Sequence, residues 1–149
     1  MKRLASYLAC ALGSAILGCG AGFDSASGQD ALRGGAVAIS SDQYVDERVS
    51  ADEGDNTDWL VVNLEQPGSI TLEVWWDNPD VEGNLLLRSR ASASVQQREH
   101  KSGVRHEKLG PIELDAGQVF VRIQATSGTS GYSMRLVTGA AAGQGLPQF

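Results

Sequence analysis

Eight consecutive residues, Ser69-Ile70-Thr71-Leu72-Glu73-Val74-Trp75-Trp76, carry an apolar side chain at every second position. Side chains of a strand point alternately to opposite faces. The run therefore predicts a half-buried β-strand with Ile70, Leu72, Val74 and Trp76 inward. The same period recurs along the chain. Leu60, Val62 and Leu64 alternate between Asp58 and Leu64, as do Leu85 and Leu87 in a shorter run. Val119, Val121 and Ile123 follow between Gln118 and Ala125, then Tyr132, Met134 and Leu136. Turn residues separate the runs: Pro67-Gly68, Asp77-Asn78-Pro79-Asp80, Ser102-Gly103, Asp115-Ala116-Gly117, and Ser127 to Gly131. No long stretch has a 3.6-residue apolar period with caps. Many short strands at regular spacing predict an all-β, antiparallel β-sandwich, with a partly closed barrel as the alternative.

Two links are specified more closely. Pro67-Gly68 reads as a type II turn, with Gly supplying a positive φ. Ser102-Gly103 reads as a two-residue hairpin loop. Charge then selects the register that sets Arg98 opposite Glu107, Glu99 opposite His106 and Gln97 opposite Lys108, because a one-residue slip opposes like charges. This hairpin is polar on both faces, so it is expected to project from the sandwich or form its edge.

The N-terminus carries a different signal. Lys2 and Arg3 precede an uncharged, mostly apolar stretch from Leu4 to Leu17, and Ile16-Leu17-Gly18 runs into Cys19. The stretch is too short to span a bilayer core of roughly 30 Å as a helix. A basic start, a short apolar helix and small residues at the cut describe a secretory signal peptide over 1–18. Its end resembles the lipobox of bacterial lipoproteins. That resemblance implies cleavage before Cys19, lipidation of Cys19 with two or three chains, and durable anchoring in the cell envelope. Gly20, in place of Asp, implies the outer membrane by the same resemblance. Cys10 would leave with the signal, so the mature chain would hold no disulfide.

Residues 20–40 are rich in Gly, Ala and Ser and read, after the lipidated Cys19, as a flexible tether. Residues 139–149 read as a disordered tail, which leaves 41–138 as one domain. The whole chain carries a formal charge of −6, and loss of Lys2 and Arg3 with the signal would make it −8. Such a balance excludes the basic footprint of a nucleic-acid binder. It also argues against electrostatic docking on anionic lipid.

Asp55-Asn56-Thr57-Asp58-Trp59-Leu60, then Val62, Leu64 and Pro67-Gly68, resembles the opening half of a bacterial pre-peptidase C-terminal (PPC) domain. Leu114 to Ile123, with its Ala116-Gly117 turn, resembles that family's penultimate strand. Ser130-Gly131-Tyr132-Ser133-Met134-Arg135-Leu136 resembles its closing Gly-Tyr strand. The resemblance covers residues 42–138 and implies a jelly-roll-like sandwich. Domains of this family trail exported enzymes, and some bind collagen, polysaccharide or calcium. The expectation here is a domain that stands alone, with no enzyme attached.

Three groups of residues are candidates for chemistry. Asp52, Glu53, Asp55 and Asp58 cluster, and Asp77 and Asp80 would join them if the two loops meet at one end of the sandwich. Calcium takes six to eight oxygen ligands, so Asp52, Asp55, Asp58, Asp77 and Asp80 are the candidate metal set. The simpler reading is a solvated acidic turn with no cofactor. Trp59 and Trp75 fall on the outward parity of their strands. They form a binding platform if those strands pair, and lie apart if the Pro67-Gly68 link crosses between sheets. His100 and His106 lack the further ligands a structural zinc needs and read as exposed hairpin residues. No G-x-S-x-G, H-E-x-x-H or P-loop pattern is present. The expected function is a non-enzymatic binding module for an envelope protein or a glycan. The alternatives are an accessory lipoprotein without a small-molecule site and, less favoured, a calcium-dependent adhesion module.

Overall fold

A computed structural model describes residues 26–90 and 95–140. The signal segment with Cys10 and Cys19, and the tail from 141 onward, lie outside the described residues. After a single 3-10 turn at Arg33–Gly35 come nine strands: β1 Val37–Ala38, β2 Tyr44–Ser50, β3 Thr57–Leu64, β4 Gly68–Trp76, β5 Glu82–Ser89, β6 Val95–His100, β7 His106–Leu114, β8 Gly117–Ser127 and β9 Thr129–Ala140. They form two sheets, ordered β1-β3-β8-β5-β6 and β2-β9-β4-β7. All pairings are antiparallel except the short β1–β3 pair. The two sheets pack face to face as a sandwich.

Strand phase follows the expected alternation. Ile70, Leu72, Val74, Leu85, Leu87, Val119, Val121, Ile123, Met134 and Leu136 are fully buried between the sheets. Leu60, Val62, Leu64, Trp76 and Tyr132 join that layer. Each such side chain contributes about 1.5–3 kcal/mol by leaving water.

Strand pairing departs from expectation at the links. Gly68 does not adopt a positive φ, so no type II turn forms there. It is the first residue of β4, and the link carries the chain from the five-stranded sheet to the four-stranded one. Its missing side chain serves packing instead, because a Cβ would stand 2.7 Å from the Gly139 carbonyl oxygen. The Ser102-Gly103 turn forms, with Gly103 at φ +93°, yet its arms do not pair with each other. β6 pairs with β5 and β7 with β4, so the turn bridges the two sheets. Both arms are edge strands, as their polarity implied.

Residues 26–40, expected as part of a flexible tether, are held by hydrogen bonds to the sandwich. From Ala26 on, the chain lies against the sandwich. The Ala26 amide donates to Gly54 O, the Ser27 hydroxyl accepts from the Thr57 amide, and Asp30 O accepts from the Trp59 amide. β1 then pairs with β3, and the Ile39 amide donates to Val61 O. At the other end β9 runs to Ala140, two residues into the expected tail.

Candidate functional site

The outer face of the four-stranded sheet is built from residues that alternate with the core. On β4, Thr71, Glu73 and Trp75 stand between Ile70, Leu72, Val74 and Trp76, so they point away from the partner sheet. Register then sets two rows across the sheet. Tyr44 pairs with Arg135, Arg135 with Glu73, and Glu73 with Lys108. One step along, Asp46 pairs with Ser133, Ser133 with Trp75, and Trp75 with His106.

The rows interlock. The Glu73 carboxylate accepts from Arg135 Nη2 at 2.6 Å and faces Lys108 Nζ at 3.4 Å. Those bonds hold its pKa below, and that of Arg135 above, the ordinary value. Arg135 lies over the Tyr44 ring at 5.0 Å and the Trp75 ring at 6.0 Å. Trp75 stacks on His106, with centroids 4.7 Å apart and planes 5° apart, and meets Tyr44 at 5.6 Å. Tyr44 is 60% exposed. The result is a flat, mixed aromatic and charged surface in which neighbouring rings brace one another.

Trp59 is not part of it. Trp59 is on β3 and Trp75 on β4, in different sheets with different outer faces. The two tryptophans therefore form no common platform. Trp59 instead lies under the Arg122 guanidinium, 5.7 Å from its ring, on the outer face of the five-stranded sheet. Tyr44 and Arg135, which complete the site, carry no distinguishing sequence signal. They meet Trp75 only because β9 inserts between β2 and β4.

The two acidic loops do meet at one end of the sandwich, around the β8–β9 link. Thr129 Oγ1 donates to Asp52 Oδ2 at 3.5 Å, and the Asn78 side-chain amide donates to Thr129 O. The carboxylates themselves go separate ways. Asp55 makes a backbone bridge with Ser50. Asp80 accepts from the Ser102 hydroxyl, and Asp77 lies against Gly131. Asp58 is not a loop residue: it occupies an inward position of β3, 7% exposed, and accepts from Tyr132 Oη at 2.6 Å. Burial pushes its pKa up to about 7, against the lowering effect of the Tyr132 hydrogen bond. Burial likewise drives the Tyr132 phenol well above its usual range. Among the described residues, no three His, Cys, Asp or Glu side chains converge to hold a metal ion.

His100 is buried rather than exposed. It stacks on Trp76 at 4.5 Å, and its Nδ1 faces Glu107 Oε1 at 3.3 Å. Arg98 Nη1 closes the pair from outside at 3.2 Å from Glu107 Oε2. The Arg98–Glu107 contact expected of a hairpin ladder thus exists, made across the gap between the sheets. Among the described residues, none hydrogen-bonds His100 Nε2. His106 stands apart, stacked on Trp75.

No protein-family model and no curated protein matches the sequence. Solved structures do. The pre-peptidase C-terminal domain of a collagenase from Bacillus anthracis superposes with a TM-score of 0.57 at 14% identity, covering 68% of this chain and 93% of that one. The chain is a PPC-like β-sandwich. At that identity the likeness establishes the fold alone. Looser likenesses are a carbohydrate-binding module, TmCBM61, solved with β-1,4-galactotriose (TM-score 0.42, 16% identity, 64% of this chain and 70% of that one), and PliG from Salmonella Typhimurium, a periplasmic inhibitor of g-type lysozyme (0.39, 10%, 70% and 98%).

Proposed function

We propose that this PPC-like sandwich is the binding module of a cell-envelope lipoprotein, held to the outer membrane by lipid on Cys19, and that its partner is an envelope protein. The observation that carries the reading is the Tyr44–Trp75–His106 ring cluster with Arg135 laid against it. Tyr, Trp and Arg are the residues enriched at interface centres, where rigid rings bury much area at little entropic cost. A glycan fits less well. Sugars stack on open ring faces, and those of Trp75 are taken by His106 on one side and by Tyr44 and Arg135 on the other.

The test is affinity capture from detergent-solubilised envelope with the lipidated chain, comparing wild type with Tyr44→Ala and Arg135→Ala. A specific protein retained by wild type and lost from both variants is the expected result. A partner retained equally by all three moves the interface elsewhere. Binding of neutral oligosaccharides that is lost in Tyr44→Ala would replace the protein partner by a glycan.

A further inference from the structure

Net charge conceals how charge is distributed over this sandwich. On β8, Gln118, Phe120 and Arg122 alternate with buried Val119, Val121 and Ile123, so they lie on the outer face of the five-stranded sheet. Arg88 is directly opposite Phe120 in the β5–β8 ladder and alternates with buried Leu87 and Ser89. Arg90 Nη1 donates to Gln118 Oε1 at 2.7 Å. Arg33 lies over the Phe120 ring at 5.5 Å. Arg33 and Arg90 flank a depression of about 370 Å³ floored by Phe120 and Gln118.

The four arginines thus stand at three levels along β8, Arg90 at Gln118, Arg33 and Arg88 at Phe120, and Arg122 itself, with about 7 Å, two residues of strand rise, between levels. Among the described residues none of the four is in an ion pair. On the strands of this face the carboxylates Glu82 and Glu99 lie beyond Arg122, at the Ser127 and Asn84 positions of the ladder, and Asp30 of the overlying segment stands beside Trp59. The four-stranded sheet is the opposite case, because there Glu73 neutralises both Arg135 and Lys108.

The chain reaches this face from the N-terminal side. Arg33 belongs to the segment laid over β3, and Leu32 beside it is 74% exposed. Seven residue steps separate Cys19 from Ala26, the first described residue, and seven steps span at most about 25 Å. A lipid on Cys19 would therefore hold the domain close to the bilayer, at the end of the chain that leads into the arginine face.

We propose that the arginine face of the five-stranded sheet, Arg33, Arg88, Arg90 and Arg122 with Leu32 at its rim, docks on the anionic leaflet to which the chain is anchored. This rests on the lipid attachment at Cys19 proposed above. Guanidinium groups without carboxylate partners match lipid phosphates. Each basic residue near an anionic surface shifts the docked population by roughly fivefold. Single-stranded nucleic acid is a poorer match, because it needs open rings for base stacking and Phe120 is buried beneath Arg33. Docking would turn the Tyr44–Trp75–His106 face, on the other side of the sandwich, away from the membrane.

The experiment places an environment-sensitive fluorophore at Gly34→Cys, where an added Cβ meets nothing within 4 Å. The full chain is offered to neutral phosphatidylcholine vesicles and to vesicles containing phosphatidylglycerol. Flotation reads attachment, and quenching by external dithionite reads docking. Flotation with both, with slowed quenching only on phosphatidylglycerol and loss of that protection in Arg88→Glu/Arg90→Glu, is the expected result. Flotation with both but equal quenching overturns docking and leaves anchoring standing. Flotation with phosphatidylglycerol vesicles alone keeps docking and overturns anchoring, and flotation with neither overturns both. Protection on neutral vesicles that appears only with soluble polygalacturonate makes the face an acidic-glycan site and overturns the proposal.

Discussion

Asp58 is the residue whose environment most contradicts its type. A carboxyl facing the core is kept there by one short hydrogen bond from Tyr132, and burial raises its pKa to about 7. Its folded pKa exceeds its unfolded value, so the folded chain holds the proton more tightly. Stability therefore falls as pH rises from about 4 towards 7 and levels off above. Asn at this position keeps an acceptor for Tyr132 and removes the charge. The unfolding free energy of Asp58→Asn, from urea titration, should gain on wild type between pH 5 and pH 8 by about 2 kcal/mol. A constant difference across that range would mean that Asp58 titrates normally. Leu72, fully buried at the centre of the core, tests packing instead: Leu72→Ala should cost about 2–5 kcal/mol by lost burial and the cavity left behind. At this scale the sequence was legible wherever parity decided burial. Asp58 shares the parity of Leu60, Val62 and Leu64, and that parity outweighed its resemblance to a loop ligand. His100 was misread for the opposite reason, since its burial depends on Trp76 and Glu107 from elements that register alone does not bring together.

Elements were legible in phase and illegible in pairing. Between β2 and β9 the chain changes sheet at every link except β5–β6. Sequential strands usually pair, and a three-residue link such as Glu65 to Pro67 suits a hairpin as well as a crossing. Nothing local separates the two cases, so the Pro67-Gly68 link stayed open between them and the Ser102-Gly103 hairpin was assigned to the wrong ladder. What decides is the total apolar face: β3 and β4 both need cover, and stacking them supplies it where pairing them edge to edge would not. β4 and β7 do pair, with a register shift between Ile70 and Leu72. Gly110 sits at that irregularity with φ +117°, and a Cβ there would stand 2.6 Å from the Ile70 carbonyl oxygen. Gly110→Ala should lower stability by at least about 2 kcal/mol, combining backbone strain with a clash. Gly103→Ala also has a positive φ but open space around it, so it should cost about half as much or less. Equal denaturation midpoints for the two variants would show that the close approach at Gly110 carries no weight.

For the whole molecule the question is where its charges go. Cys19→Ser should release the chain from the membrane fraction without changing its melting temperature, and fractionation after labelling with a fatty-acid analogue checks this. Label kept by the variant, or wild type found free in the periplasm, would remove the anchor from the account. The acidic end of the sandwich poses the remaining test. Asp52, Asp77 and Asp80 gather around the β8–β9 link, where a divalent cation would relieve their repulsion. Their contacts point elsewhere, however: Thr129 donates to Asp52, Ser102 to Asp80, and Asp77 lies against Gly131. Asp58, the member nearest the core, has turned inward to Tyr132. A ligand that binds only the folded state raises stability by RT ln(1 + [L]/Kd), about 2.7 kcal/mol at a hundredfold excess over Kd. In a domain of this size that is a shift of several degrees. Gathering these scattered carboxylates into six or more calcium ligands would first require breaking the hydroxyl bonds they hold. Thermal melts in EDTA, calcium and magnesium at matched ionic strength should therefore coincide. A rise of several degrees in calcium alone would show that the loops rearrange around a cation and that the adhesion reading, not the solvated turn, describes this end of the sandwich.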